Sequence, residues 1–566
     1  MADRRFTAQP ASPGLAIGPV VRIEQSNALG ERRQGSPNEE RATLERAITK
    51  SIADLEALAA VASGDGADIL AFQIEMLADP ALIEDILPLI AAGDDAAKAW
   101  RAGLDIQIHE YEAADDDYFR ARASDLRDLE DRVTRVVQGA TIELQDLPDG
   151  AILLADDLLP SHFLALSSKG LSGIALNRGS RNSHVAILAR GRGLPMIVGL
   201  DPVSGTASVA GTEMHEMGVD EAILDGDAGL LLLAPTRAKL KHYRKKLSSS
   251  QAEAKHAAAL RGCPAMTEDG LRIEVMINVD DPTAVNDEAL AAADGIGLLR
   301  TEFLLIGKED LPDEEEHFRL YTDLLRRLEG KPLIVRTFDI GGDKPLAGLD
   351  LPKETNPFLG LRGIRLCLDR PDLIRPQIRA LLRTTAAAAG GPLTKSGASS
   401  TGGPLQVMLP MVTVQAEIDA ARSLFDDALK DLKAEGVAAA MPPLGIMVET
   451  PAAALAADGL DAAFFSIGSN DLIQYAMAAA RDAEAGVSFL LDPGHPAIER
   501  LIRSVVEEGA ASGRAVSLCG DMASDPAWLP LLLRIGLRKI SVAPAALDRV
   551  KLALSRLNSQ TAETKT

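Results

Sequence analysis

The sequence predicts a multidomain α/β protein: an α/β domain interrupted by an inserted helical bundle, then a helical linker, then a C-terminal (β/α)8 TIM barrel. Three observations predict it. The chain has 566 residues, the length of three or four domains at roughly 100–200 residues each. Over 262–566, eight short apolar runs alternate with helix-like stretches, and about 300 residues suffice for such a barrel. Over 36–140, apolar residues recur at helical spacing between two strand-rich segments.

The elements follow in order. Residues 1–35 carry Pro13-Gly14 and Gly18-Pro19 between short apolar runs, which reads as brief β-structure. Ser36-Pro37-Asn38-Glu39 supplies an N-cap, a proline at the first helical position and a glutamate three residues after the cap. Leu44, Ile48, Ile52, Leu55 and Leu58 follow, and 69–77, 82–90 and 118–137 continue the pattern. Long amphipathic helices with short breaks make a bundle; without evident chemistry, it reads as a docking surface or a scaffold. Residues 141–234 alternate strand-like runs (150–155, 173–176, 196–199) with a short helix at 185–190. Residues 1–35 and 141–234 thus form one α/β domain, with 36–140 inserted. Residues 235–261 are basic, polar and helix-prone; a helix there spans about 40 Å and reads as a linker. The barrel strand candidates are 272–277, 295–300, 333–337, 406–411, 444–449, 464–468, 515–519 and 539–542. The Gly/Ala/Ser-rich stretch 386–404 predicts a surface loop before the fourth.

Composition excludes several classes. With 59 Lys+Arg against 82 Asp+Glu the net charge is −23, which disfavours a general nucleic-acid binder. Aromatics at 3% leave little for base stacking. The longest uncharged stretch, about twenty residues at 397–416, holds Ser, Thr, Gln and two prolines, which disqualifies it as a membrane span. Cys263, Cys367 and Cys519 cannot make a disulfide framework and fit a reducing, cytoplasmic setting. Met1-Ala2-Asp3-Arg4-Arg5 lacks a following apolar run, so no signal peptide is expected.

Chemistry concentrates at the strand ends. Arg300, Arg336, Glu449, Asn470 with Asp471, and Cys519 close or follow five of the eight candidates, at the C-terminal rim where this fold builds active sites. Arginines supply forked donors for phosphate and carboxylate. Glu449 and Asp471 suit a hard cation such as Mg2+. Together they describe a site for a small phosphorylated acid. Cys519 reads either as a proton donor to an enolate or as an inert buried cysteine. A second constellation runs Gly179-Ser180-Arg181-Asn182-Ser183-His184-Val185-Ala186-Ile187-Leu188-Ala189-Arg190. Its loop delivers His184 to a helix N-terminus, which favours a neutral, nucleophilic imidazole; the alternative is a structural loop histidine. The other seven histidines (109, 162, 215, 242, 256, 317 and 495) lack such a setting and read as surface or packing residues.

These residues closely resemble the enzyme I family of the bacterial phosphoenolpyruvate-dependent sugar phosphotransferase system, over nearly the whole chain. The resemblance rests on Ser-His-Val-Ala-Ile-Leu-Ala-Arg (183–190), Gly-Ile-Gly-Leu-Leu-Arg-Thr-Glu-Phe (295–303) and Arg-Thr-Phe-Asp-Ile-Gly-Gly-Asp-Lys (336–344). It rests also on Asn-Pro-Phe-Leu-Gly (356–360), Val-Glu-Thr-Pro-Ala-Ala (448–453) and Ser-Asn-Asp-Leu-Ile-Gln-Tyr (469–475). Leu-Ala-Asp-Pro-Ala-Leu (77–82) and Ala-Ser-Asp-Leu-Arg-Asp (123–128) look like the family's helical subdomain, which docks the small carrier protein HPr.

The resemblance implies that His184 is phosphorylated from phosphoenolpyruvate, that pyruvate is released, and that the group passes to a histidine of HPr. It implies that Arg300, Arg336 and Arg481 bind phosphoenolpyruvate with Asn470 and the backbone at Asp471, with Arg362 a further ligand. Glu449 and Asp471 would hold Mg2+, and Cys519 would protonate the enolate. It also implies a swivelling phosphohistidine domain and a homodimer through the barrel. Five departures stand out: Ser180 and Asn182 in Gly-Ser-Arg-Asn-Ser-His for the usual Gly-Gly-Arg-Thr-Ser-His, Ala480 for Asp, Asp521 for Glu, and extra Gly and Ser at 390–403. One alternative is a pyruvate phosphate dikinase or phosphoenolpyruvate synthase. Those need a large N-terminal ATP-binding domain, whereas here only the bundle is available and it has no Gly-rich phosphate loop. Another is a low-turnover phosphorylation-state sensor, against which the presence of His184, Cys519 and the metal carboxylates speaks.

Overall fold

The computed structural model describes residues 4–22, 34–59, 65–84, 86–112, 117–139, 147–167, 170–179, 181, 183–201, 221–283, 285–305, 311–341, 354–390, 404–480 and 487–558. The chain divides into two compact units, Met1–Gln251 and Ala252–Thr566. The division falls inside the helix Arg237–Leu260, where the linker was expected.

In the first unit eight strands form one sheet: β1 (Arg4–Ser12), β2 (Leu15–Gly18), β3 (Val20–Arg22), β4 (Ala151–Ala155), β5 (Leu171–Leu176), β6 (Met196–Asp201), β7 (Ala222–Asp225) and β8 (Leu230–Leu233). Their spatial order is β2-β7-β8-β1-β6-β5-β4-β3. β3, β4, β5 and β6 run parallel, while β1 pairs antiparallel with β6 and β8. β3 and β4 are hydrogen-bonded neighbours, Val20 opposite Ile152, although the helices lie between them in sequence.

Those helices are Pro37–Ala59, Asp65–Ala78, Pro80–Glu84, Leu87–Ala91, Ala96–Glu112 and Asp117–Val137. The first begins as its sequence predicts: the Ser36 amide and hydroxyl both donate to Glu39 Oε2 at 2.7 Å. The run expected at 82–90 is two short helices, the second with Pro88 in its first turn, where a proline is tolerated. Leu44, Leu55, Leu70, Trp100 and Leu129 share one core with Leu153, Phe163, Val185 and Ala189. Bundle, sheet face and the helix His184–Gly191 therefore bury their apolar surface together.

The second unit is a closed barrel. Its strands are β10 (Arg272–Val279), β11 (Ile296–Leu299), β12 (Leu333–Arg336), β13 (Leu405–Leu409), β14 (Leu444–Val448), β15 (Phe464–Gly468), β16 (Ala515–Cys519) and β17 (Lys539–Val542), preceded by β9 (Ala265–Met266). Each pairs parallel with the next, and β10 pairs with both β11 and β17, which closes the ring. All eight expected strands are present, shifted by at most two residues at an end. Short β9 adds antiparallel to β10 outside the ring. The interior holds Met276, Leu298, Ile334, Met408, Met447, Phe464 and Cys519. Gly445 has no alternative here: a Cβ on it would lie 2.4 Å from the Phe464 ring. The expected loop at 386–404 starts late. Ala386–Gly390 completes the helix Pro371–Gly390, as a run of alanines favours, and 391–403 lies outside the described residues.

Candidate active site

The strands of a (β/α)8 barrel run parallel, so their C-terminal ends face one side. Here that side collects a buried ionic cluster. Arg336, the last residue of β12, is 4% exposed. Its Nη2 donates to Glu302 Oε1 at 3.1 Å and its Nη1 lies 3.0 Å from Asp339 Oδ2. Arg362 is also buried, with Nε and Nη2 each 3.0 Å from the two oxygens of Asp339. Such a forked pair fixes the plane of the guanidinium. Arg362 Nη1 reaches Asp471 Oδ1 at 3.2 Å and Tyr475 OH at 3.3 Å. Burial alone would lower the pKa of both arginines. For Arg336, Glu302, Asp339 and Glu449 outweigh it; for Arg362, Asp339, Asp471 and Glu449 do. Both stay charged.

Glu449 follows β14 directly and is fully buried. Its Oε1 accepts a 2.6 Å hydrogen bond from the Met411 amide. Met411 holds a left-handed φ of 59°, a strained conformation for a non-glycine residue that aims this amide at the carboxylate. Oε2 of Glu449 is buried without a hydrogen-bond partner. Burial, then Asp339 and Asp471, push the Glu449 carboxyl up to about 8. Crowded carboxylates with an unsatisfied oxygen fit a hard divalent cation. Among the described residues no group of three or more His, Cys, Asp and Glu is placed to hold a metal ion.

Asn470 and Asp471 open the helix Ser469–Met477. Asn470 Nδ2 donates to Asp521 Oδ2 at 3.2 Å, and the Asp521 amide donates back to Asn470 Oδ1 at 3.0 Å. The shorter Asp521 thus reaches Asn470 in this chain. Cys519 ends β16 beside this helix: Ser469 Oγ donates to its carbonyl at 2.8 Å. Its thiol donates to the Ile467 carbonyl at 3.5 Å. Burial pushes that thiol up to about 11, with Glu449 adding to the shift and Ser466, Arg300 and Arg336 opposing it. Arg300 is half exposed and paired with Asp280 at 2.9 Å.

The rim thus joins Arg336, Arg362, Glu449, Asn470, Asp471 and Cys519, with Arg300 at its edge. Arg481 lies outside the described residues, as do Ser180 and Asn182. Glu302 and Asp339 were not picked out in the sequence. Both stand in quoted motifs, two and three residues after a strand-end arginine, and that spacing of opposite charge was the available signal.

In the first unit His184 begins the helix His184–Gly191, capped by Ser183 Oγ, which accepts from the Ala186 amide at 3.3 Å. Its own side chain lies outside the described residues. Arg190, two turns on, donates through Nη1 to the carbonyls of Ala11 at 2.6 Å and Arg181 at 2.8 Å, pinning the loop before His184 to β1.

Comparison with known proteins matches both units. Models of PEP-utilising enzymes match as the N-terminal domain (residues 7–122), the mobile domain (147–229) and the PEP-binding domain (254–559). A phosphoenolpyruvate-protein phosphotransferase of Geobacillus stearothermophilus is 37% identical over 562 residues, covering 98% of this chain and 93% of its own. That of Bacillus subtilis (strain 168) is 36% identical over 563 residues, covering 98% and 94%. A solution structure of Enzyme I is 27% identical and covers 44% of this chain and 99% of its own, with a TM-score of 0.35. Alike in sequence along almost its whole length and in the order of its domains, the chain belongs to the phosphoenolpyruvate-protein phosphotransferase family.

Proposed function

We propose that the protein phosphorylates itself on His184 from phosphoenolpyruvate, releases pyruvate, and passes the phosphoryl group to a histidine of an HPr-type carrier. The observation that carries this reading is the buried cluster at the barrel rim. Two arginines held charged among carboxylates are a preorganised receptor for a phosphorylated acid. Phosphoryl transfer needs positioning and charge neutralisation above all. Arg336, Arg300, Arg481 and Arg362 neutralise the substrate, Arg362 also braces Asp339 and Asp471, and Asn470 orients the carboxylate. Glu449 and Asp471 would hold a divalent cation, Mg2+, which when bound adds charge stabilisation at the phosphate and enolate oxygens.

The neutral ring nitrogen of His184 takes the phosphoryl group as the P–O bond to the enol oxygen breaks. The enolate left behind receives the Cys519 thiol proton at its terminal carbon, giving pyruvate, and water returns a proton to the thiolate. A thiol pushed up to about 11 by burial stays protonated at neutral pH, as a donor must. The bundle would dock the carrier. Its core is continuous with the helix that carries His184, so a docked carrier is held by the same body as the phosphohistidine. A homodimer through the barrel and a cytoplasmic setting complete the proposal; no helix of the described residues is long and apolar enough to cross a membrane.

The test is mass spectrometry after incubation with phosphoenolpyruvate and Mg2+ but no ATP. One acid-labile phosphate on the protein, none on His184→Ala and none with excess chelator are expected. Labelling only when ATP is added would favour the dikinase reading, and no labelling in any condition would favour the sensor.

A further inference from the structure

Behind the rim lies a buried hydrogen-bond hub whose side chains are not themselves assigned to substrate. Gln377 sits on the outer helix Pro371–Gly390 and is fully buried. Its side chain makes three hydrogen bonds. Oε1 accepts from the Phe338 amide at 3.2 Å. Nε2 donates to Thr301 Oγ1 at 3.0 Å and to Tyr321 OH at 3.1 Å. Thr301 Oγ1 in turn donates to the Arg336 carbonyl at 3.1 Å, and Tyr321 OH lies 3.0 Å from His317 Nδ1. Thr301, Tyr321 and His317 are all fully buried.

The effect converges on four residues. In Arg336–Asp339, Thr301 holds the carbonyl of Arg336, the Thr337 amide donates to the Met408 carbonyl, Gln377 holds the amide of Phe338, and Glu302 holds the amide of Asp339. This segment leaves the barrel wall carrying both Arg336 and Asp339, and Asp339 is the shared partner of Arg336 and Arg362. A primary amide is the side chain that accepts at one end and donates twice at the other. A leucine or methionine fits the volume but leaves the Phe338 amide and two hydroxyls without this partner.

We infer that Gln377 is a positioning residue for phosphoenolpyruvate binding. Through Phe338 and Thr301 it sets the backbone that aims Arg336 and Asp339 into the site, although it touches neither substrate nor cation. The inference rests on the proposed role of Arg336. An arginine aimed badly loses ground-state binding before it loses chemistry, so the KM for phosphoenolpyruvate responds more than kcat.

The experiment measures HPr phosphorylation against phosphoenolpyruvate concentration, with melting curves, for the unaltered full chain, Gln377→Met, Gln377→Asn, Thr301→Val and the double variant Gln377→Met/Thr301→Val. Thr384→Val on the same helix is the control: it is equally buried but bonds only within its own helix, to the Ala380 carbonyl. Gln377→Met is expected to raise KM about tenfold with kcat within about threefold. Thr301→Val should act similarly, the pair should raise KM by less than the product of the single effects, and Thr384→Val should leave KM unchanged. Gln377→Asn and Thr301→Val carry the same expectation if Gln377→Met does not fold. An unchanged KM in the folded variants, or a product of independent effects in the pair, overturns the inference alone. An inactive unaltered protein overturns the functional reading and this inference with it.

Discussion

At the residue scale the three cysteines separate cleanly. Cys263 is exposed, while Cys367 and Cys519 are buried. Burial pushes the Cys367 thiol up to about 12, with Asp339 and Glu302 adding, and that of Cys519 up to about 11. Thiolate is the reactive form, so iodoacetamide at pH 8 should label Cys263 at least about a hundredfold faster than either other cysteine. Both buried thiols are raised above the unfolded value, so their contribution to stability is complete below it and is lost as pH rises through 9 toward 11 for Cys519 and toward 12 for Cys367. Loss of discrimination over that window, read by peptide mapping, is the expected outcome; fast labelling of Cys519 at pH 8 would contradict its burial. What the sequence disclosed at this scale was what the backbone period dictates. Arg300, Arg336, Glu449 and Cys519 were recognisable because β-strands are short, apolar and end in a polar residue. Gln377 was not, because its role comes from partners 39 and 76 residues away, and helical periodicity says nothing about distant partners.

Elements show the same division. Eight barrel strands could be read because each is an apolar run bounded by turns, buried on both faces. β7 and β8 went unnamed within 141–234, although barrel strands of the same four-residue length were read. The helix Ala96–Glu112 fell between two recognised patterns. Its start is organised from afar: Glu40, 1% exposed, accepts from the Ala96 amide at 2.9 Å and the Gly35 amide at 2.6 Å. One buried carboxylate therefore ties the beginnings of two helices together, a capping role no local window reveals. Glu40→Ala strands both amides and should cost about 2 kcal/mol or more, read as a lower denaturant midpoint for the first unit with the barrel unaffected. Glu40→Gln, which keeps one acceptor oxygen, should fall between.

On the scale of the whole molecule, the helix Arg237–Leu260 is fastened at both ends. Lys246 pairs with Asp225 and Arg244 with Glu221, while Leu240 and Tyr243 pack on Ile223, Leu230 and Leu232. Just past its other end, Arg261 grips Asp548, and Lys551 donates to the carbonyls of Arg261 and Cys263 at 2.7 and 2.8 Å. Between these fastenings lie Ser248, Ser249 and Ser250. Each unit with its own core should unfold by itself. Calorimetry should resolve two transitions, and on His184→Ala, which cannot turn over, phosphoenolpyruvate with Mg2+ should raise only the barrel's. A single transition, or a shift of both, would show that the units melt as one.

The adjacency of β3 and β4 has a different consequence, an evolutionary one. The strands from which the bundle departs and to which it returns are hydrogen-bonded neighbours, about 5 Å apart. The two strands run parallel, so a crossover of about a dozen residues is the least that could replace the bundle. Its core forbids this, since Leu153, Phe163 and Val185 would be left bare. An ancestor of this chain could thus redraw the bundle's outer face residue by residue, whereas discarding the bundle whole would bare the core it shares with the sheet.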